Sequence, residues 1–115
     1  MIISMAVSVS AVDYLDRNGW KVTASSIYND DAVPENVLDG SNDTIWHSYY
    51  DSMGVAIDGP IYQLTFTFPK AQKLSGISYT PKQYDENGRV LSYNVYASAS
   101  DKGKAQLIFS GKFVN

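Results

Sequence analysis

The chain of 115 residues contains no cysteine. Disulfide staples, thiolate metal sites and cysteine nucleophiles are therefore excluded. It has a single histidine, His47, and no nucleophile motif around it, which makes a catalytic triad implausible. No apolar run is long enough to span a membrane as a helix. Positive charge is in short supply, with 9 Lys and Arg against 12 Asp and Glu, a net charge of −3 and a pI near 4.8. That balance argues against nucleic acid, whose phosphates demand a basic face, and against docking on anionic lipid. The paired acids Asp30-Asp31 and Asp85-Glu86 are adjacent in sequence. On an extended chain their side chains diverge, whereas glycoside hydrolysis needs two carboxylates facing each other across a bond. The chain is expected not to be an enzyme.

A 3.6-residue apolar repeat is also missing from every segment of ten or more residues. What is present is short alternation. Tyr62, Leu64, Phe66 and Phe68 fall on one face of segment 61–68, the clearest strand signal. Segments 20–25, 74–80, 90–98 and 105–109 read as further strands, with Leu91, Tyr93, Val95 and Ala97 sharing one face of the fourth. Polar loops rich in Gly, Pro, Asn and Asp separate them, and Pro34 can start a single helical turn over 34–38. Evenly spaced short strands predict an all-β sandwich or barrel of antiparallel strands. Hydrophobic residues at 44% and charged residues at 18% suit one globular domain of this length. Residues 1–12 read as a leader, linker or extra strand, with Ile3, Met5, Val7 and Val9 alternating, and residues 13–115 as the domain. Nine tyrosines against four Phe and two Trp suit half-buried strand faces and ligand surfaces with an apolar body and a polar tip.

One stretch concentrates candidate chemistry: Asn36-Val-Leu-Asp-Gly-Ser-Asn-Asp-Thr-Ile-Trp-His47. Gly40 permits a sharp turn after Asp39, so the Asp39 carboxylate and the Thr44 hydroxyl can both turn inward. A hard cation takes six to eight oxygen ligands of this kind. The alternative is an Asp-Gly turn bonded to its own backbone. Trp46 and Trp20 read as core residues. His47 can accept from or donate to a hydroxyl, Lys82 only donates, and Asn87 does both. Taken alone, each has a plain alternative: a bystander histidine, a solvated charge, and an Asn-Gly turn. Tyr49, Tyr50 and Tyr84 lie in flanking loops and can stack on a ring.

Three blocks carry a resemblance. They are Asp16-Arg-Asn-Gly-Trp-Lys-Val-Thr-Ala-Ser25, then Asn36 to His47, then Ile77-Ser-Tyr-Thr-Pro-Lys-Gln-Tyr-Asp-Glu-Asn-Gly-Arg-Val-Leu-Ser-Tyr-Asn-Val-Tyr-Ala-Ser98. Their order and spacing over residues 13–113 resemble the discoidin fold, also called the coagulation factor V/VIII type C domain. More narrowly they resemble the family 32 carbohydrate-binding modules. The resemblance implies a galactose-binding-like β-sandwich jelly roll with its binding loops at one end. It also implies a structural Ca²⁺ held by Asp39 and Thr44 with the carbonyls of Asn36 and Ser41. His47, Lys82 and Asn87 become the polar contacts to a sugar, with Tyr84 and Tyr50 as the stacking candidates.

Two departures from the family pattern matter. Lys82 stands where arginine is frequent, so a planar fork is lost. The chain also ends at Asn115, where family members usually continue into strands that carry an acidic cation ligand and an aromatic platform. A C-terminally shortened domain is expected, with residues 3–9 pairing at a sheet edge in the same molecule or, by strand exchange, in a dimer. The expected function is a non-catalytic carbohydrate-binding module for galactose- or N-acetylgalactosamine-type glycans. It would target a larger secreted, cell-surface or periplasmic glycan-processing protein. The alternatives are a cell-adhesion domain binding protein or lipid, and an architectural domain whose sugar site has decayed.

Overall fold

The computed structural model describes residues 2–6, 13–55, 62–86, 88–100 and 102–113. Among these residues six strands run in chain order: β1 (Ile2–Ala6), β2 (Lys21–Ala24), β3 (Leu64–Thr67), β4 (Gly76–Thr80), β5 (Ser92–Ala97) and β6 (Gln106–Lys112). They pair antiparallel as β1 with β4, β2 with β3, and β5 with β6. The only helical element among the described residues is a 3₁₀ turn, Pro34–Val37. Its first-turn proline has a fixed φ and no N–H to leave unpaired, as the sequence led one to expect. The molecule is an antiparallel β-sandwich.

Alternation explains which side chains meet. On β2, Val22 points inward and is buried, and on β3, Leu64 and Phe66 point inward and are half-buried while Thr65 and Thr67 face out. Val22 and Val37 form the centre of the core, and Ile3, Leu38, Ile45, Trp46, Leu64, Phe66 and Tyr79 pack around them. Trp20 closes one flank, its ring 4.5 Å from that of Phe68. On the other flank Phe113 lies between Tyr79 and Tyr93, with ring centroids 4.8 and 4.6 Å away. These contacts tie β4 to the β5–β6 pair.

Several boundaries differ from the sequence expectation. Tyr62 was expected on the inner face of a strand over 61–68, but β3 starts at Leu64 and Tyr62 is exposed. Leu91 precedes β5 and is exposed as well. The last strand was expected to stop at Phe109, where the apolar residues end, yet it runs to Lys112. The ladder with β5 carries it through Ser110 and Gly111. Gly111 suits this passage, because a Cβ there would lie 2.6 Å from the Tyr93 hydroxyl. A packed ring thus replaces the missing side chain. In the segment over 3–9, Ile3 and Met5 lie on β1, which pairs with β4 within the chain. Val7 and Val9 fall outside the described residues, and so does Asn87.

Candidate functional site

The loop after the 3₁₀ turn forms two adjoining features, an oxygen-lined turn over 39–44 and a cleft beneath His47. In the first, Asp39 is the hub. One carboxylate oxygen, Oδ1, accepts from the Ser41 N–H at 2.8 Å, and the other, Oδ2, accepts from the Thr44 hydroxyl at 2.5 Å. Gly40 takes φ = +78°, which a residue with a Cβ adopts only at a cost. Partial burial alone would raise the pKa of Asp39. The bonds from Thr44 and Ser41, helped by the charge of Arg17, outweigh it and hold the carboxyl below its ordinary value. Its folded pKa is thus lower than its unfolded one. The stability it brings is in place at neutral pH and is lost as pH falls through the lowered value.

Asn36 holds the ends of this loop together. Its amide nitrogen donates to the carbonyls of Asp31 at 2.8 Å and Ile45 at 2.7 Å. The arrangement is the self-bonded turn that the sequence left open as an alternative. The same oxygens are hard donors that converge from Asp39 and Thr44, a donor set that fits a hard cation with one carboxylate ligand. Among the described residues no group of three or more His, Asp or Glu side chains is placed to hold a metal ion. Any ion here would rely on backbone and hydroxyl oxygens beyond Asp39.

The cleft has a volume of about 430 Å³ and is walled by two segments. One carries Tyr28, Asp31, Ala32, Asp43, Ile45, His47 and Tyr50, and the other carries Lys82, Tyr84 and Asp85. His47 is fixed by its backbone. Its N–H donates to the Ala32 carbonyl at 3.3 Å, and its own carbonyl accepts from Tyr28 N–H at 2.8 Å. Beside it, Trp46 donates from Nε1 to the Ser26 carbonyl at 2.9 Å. The imidazole Nδ1 sits 2.8 Å from the Ser48 carbonyl. A carbonyl only accepts, so this contact assigns the ring proton to Nδ1 and makes Nε2 the acceptor. Nε2 faces Gly88, where a Cβ would approach to 3.3 Å and where φ is +78°. A side chain there would be strained by the positive φ and would crowd the imidazole.

Tyr28 and Tyr50 stack with centroids 4.4 Å apart and planes 3° from parallel. His47 meets the Tyr50 ring edge-on at 5.2 Å. The hydrogen bond that Tyr50 shares with the Tyr28 hydroxyl raises the pKa of the Tyr50 phenol, and burial adds to this. Across the cleft, Lys82 is only 8% exposed, so it is not the solvated charge of the plain alternative. Its Nζ lies 2.5 Å from the Asp85 carboxylate and 5.3 Å from the centroid of the Tyr84 ring. Arg89 grips the Lys82 carbonyl with Nε at 3.2 Å and Nη2 at 2.9 Å. Its planar fork thus acts on the backbone of the loop rather than inside the cleft.

Four of the sequence-predicted contact residues, His47, Tyr50, Lys82 and Tyr84, line this one cleft. Tyr49 does not line it. Sequence reasoning missed Tyr28, Asp43 and Arg89, and it weighed Asp31 and Asp85 only as catalytic acids. Loop tyrosines had been singled out, and Tyr28 belonged with them. The acids and Arg89 carry no spacing that marks them, because the fold alone brings residues 28–50 and 82–89 together.

The F5/8 type C domain profile matches residues 21–105. A galactose oxidase of Gibberella zeae is 27% identical over 112 residues, which is 96% of this chain and 16% of the oxidase. An A type blood N-acetyl-alpha-D-galactosamine deacetylase of Flavonifractor plautii is 30% identical over 95% of this chain and 14% of its own length. A sialidase of Micromonospora viridifaciens is 25% identical over 96% of this chain and 17% of its own. The chain thus spans less than a fifth of the length of these curated relatives. No solved structure matches it significantly.

Proposed function

The chain belongs to the F5/8 type C domain family, and on that premise we propose that its cleft binds carbohydrate without transforming it. One observation carries this reading: His47, Tyr50, Lys82 and Tyr84 gather around a single cleft of about 430 Å³. A sugar offers an apolar ring face and a set of hydroxyls. Tyr84, 66% exposed, offers a ring for the former, while His47 Nε2 and the Lys82 ammonium offer an acceptor and a donor for the latter. The names of the relatives, which include a galactose oxidase and an N-acetyl-alpha-D-galactosamine deacetylase, favour galactose- and N-acetylgalactosamine-type termini. Each relative is several times longer than the matched region, which favours an accessory module of a larger, extracellular glycan-acting protein. Among the described residues no helix is long and apolar enough to cross a membrane. A single shallow site binds weakly, so neighbouring copies would add avidity. Exchange of β1 between two chains, using the register it forms with β4, is the form in which a dimer would arise.

His47→Ala tests the site. It should weaken binding to a galactose-terminated glycan by about 1–3 kcal/mol, the cost of leaving polar partners unpaired. The melting temperature should stay nearly constant. Titration of both proteins by calorimetry, beside thermal melts, separates the outcomes: a lost fold with no specific binding loss makes His47 structural.

The turn over 39–44 is proposed to hold a structural Ca²⁺ through Asp39 and Thr44 with the carbonyls of Asn36 and Ser41. A cation bound only to the folded state raises stability by mass action, by about 2.7 kcal/mol at a hundredfold excess over its dissociation constant. Calcium should therefore raise the melting temperature of the wild type and leave that of Asp39→Ala unmoved. A wild-type melting curve indifferent to chelator and to millimolar calcium rules out an exchangeable ion.

The adhesive reading is favoured by the turn over 51–55. Asp51 Oδ1 accepts from the N–H groups of Met53 and Val55, each at 2.9 Å, and both side chains stand exposed. Sedimentation with zwitterionic and with anionic vesicles, set beside the glycan titration, tests the lipid form of this reading.

A further inference from the structure

The charges lining the cleft are unbalanced. Three acidic residues, Asp31, Asp43 and Asp85, line it beside one basic residue, Lys82. Lys82 is already matched, because Asp85 lies 2.5 Å from its Nζ. Among the described residues no Lys or Arg nitrogen comes within 4 Å of the carboxylates of Asp31 or Asp43. Arg89 does not redress the balance, since its guanidinium is turned onto the Lys82 carbonyl and does not line the cleft.

Both unmatched acids are held in place by their backbones. The Asp31 N–H donates to Asn29 Oδ1 at 3.0 Å, and its carbonyl accepts from Asn36. The Asp43 N–H donates to the Ser41 hydroxyl at 3.0 Å. Tyr28 and Tyr50 also line the cleft, and aromatic rings attract a cation over their faces. The cleft already shows this preference internally, in the seating of Lys82 over Tyr84.

We infer that the cleft selects saccharides bearing a free, protonated amine, that is, unacetylated amino sugars, over neutral ones, and rejects those bearing a carboxylate. This rests on the reading of the cleft as a carbohydrate site and names the class of sugar it prefers. The physical basis is Coulombic: among the described residues no Lys or Arg pairs with Asp31 or Asp43 within 4 Å, and an incoming ammonium supplies a counterion. A carboxylated sugar meets the same two acids as like charges.

The test is an NMR shift titration at pH 7 and one fixed calcium concentration. The probes are galactose and N-acetylgalactosamine (neutral), galactosamine and 6-amino-6-deoxygalactose (amine), and galacturonic acid (carboxylate). Two amine positions are used so that the result reports the charge and not one pose. At least one amine-bearing sugar should bind about fivefold tighter than galactose, the scale of a partly exposed ion pair, and galacturonic acid should bind weakest. Raising the salt concentration should shrink the advantage. In the double variant Asp31→Asn, Asp43→Asn, whose fold is checked by its melting curve, the amine-to-neutral ratio should fall to about one.

Equal binding of amine and neutral sugars by the wild type overturns the inference while leaving the carbohydrate site standing. A ratio that survives the double variant overturns it too, because the acids are then not its source. Tightest binding by galacturonic acid reverses its sign. If no sugar of any charge binds, the carbohydrate reading of the cleft falls with it.

Discussion

Removal of residues 1–6 should destabilise the domain by several kcal/mol, enough to leave much of it unfolded at 37 °C. The strand that is lost forms five register pairs with β4, from Ile2 opposite Thr80 to Ala6 opposite Gly76. Its Met5 is 5% exposed, and Ile3 packs against the Val22–Val37 centre. The Met5 carbonyl also accepts from the Leu15 N–H at 3.0 Å, which ties down the chain that leads into β2. Burying a methionine and part of an isoleucine is worth about 3–4 kcal/mol, and the β4 edge would lose its hydrogen-bond partners. A domain of this size holds only about 5–15 kcal/mol in total.

Denaturant melts of the shortened chain measure the loss. Met5→Ala gives a milder version, with about 2–3 kcal/mol expected for the truncated side chain alone. A shortened chain that melts where the full chain does would make β1 a passive tail. Size-exclusion chromatography of the full chain distinguishes pairing within one chain from exchange between two, since one register serves both.

The strands were legible because alternation is a local signal. Val22 between Lys21 and Thr23, and Phe66 between Thr65 and Thr67, announce their inward faces without any tertiary information. Strand ends were less so. Tyr62 continues the alternation of β3 yet lies outside it, and Gly111 interrupts the alternation of β6 yet lies inside it. In both cases pairing with a neighbour decided the boundary, through the register of β2 opposite β3 and of β5 opposite β6. Propensity cannot report this.

The site divides in the same way. The turn over 39–44 is contiguous, so Asp39, Gly40 and Thr44 could be read together from their spacing. The cleft is made from segments more than thirty residues apart. His47, Lys82 and Tyr84 could be named beforehand only because family blocks carry them, and the partners of Lys82 could not. Whether a lysine is solvated or folded onto Asp85 and Tyr84 depends on how Arg89 holds its backbone. No residue type or spacing encodes that.

Val37→Ala should show how closely the core and the candidate cation loop depend on each other. Val37 is the only large side chain that is fully buried among the described residues. It ends the 3₁₀ turn and stands two residues before Asp39, so the loop over 39–44 is anchored on it. Removing two methyl groups from this position leaves a cavity among Val22, Leu38, Ile45 and Trp46, which rigid neighbours close only in part. The expected cost is about 2–3 kcal/mol. The same change at Val55, which is exposed, should cost less than about 0.5 kcal/mol.

The loop adds a second readout. If the 3₁₀ turn positions Asp39 and Thr44, any calcium-dependent rise in melting temperature should be smaller in Val37→Ala than in Val55→Ala. A loop held by its own hydrogen bonds, from Asn36 to Ile45 and from Thr44 to Asp39, would instead keep the full rise despite the loss of stability. That result would place the order of the loop in its polar contacts and not in the core beneath it.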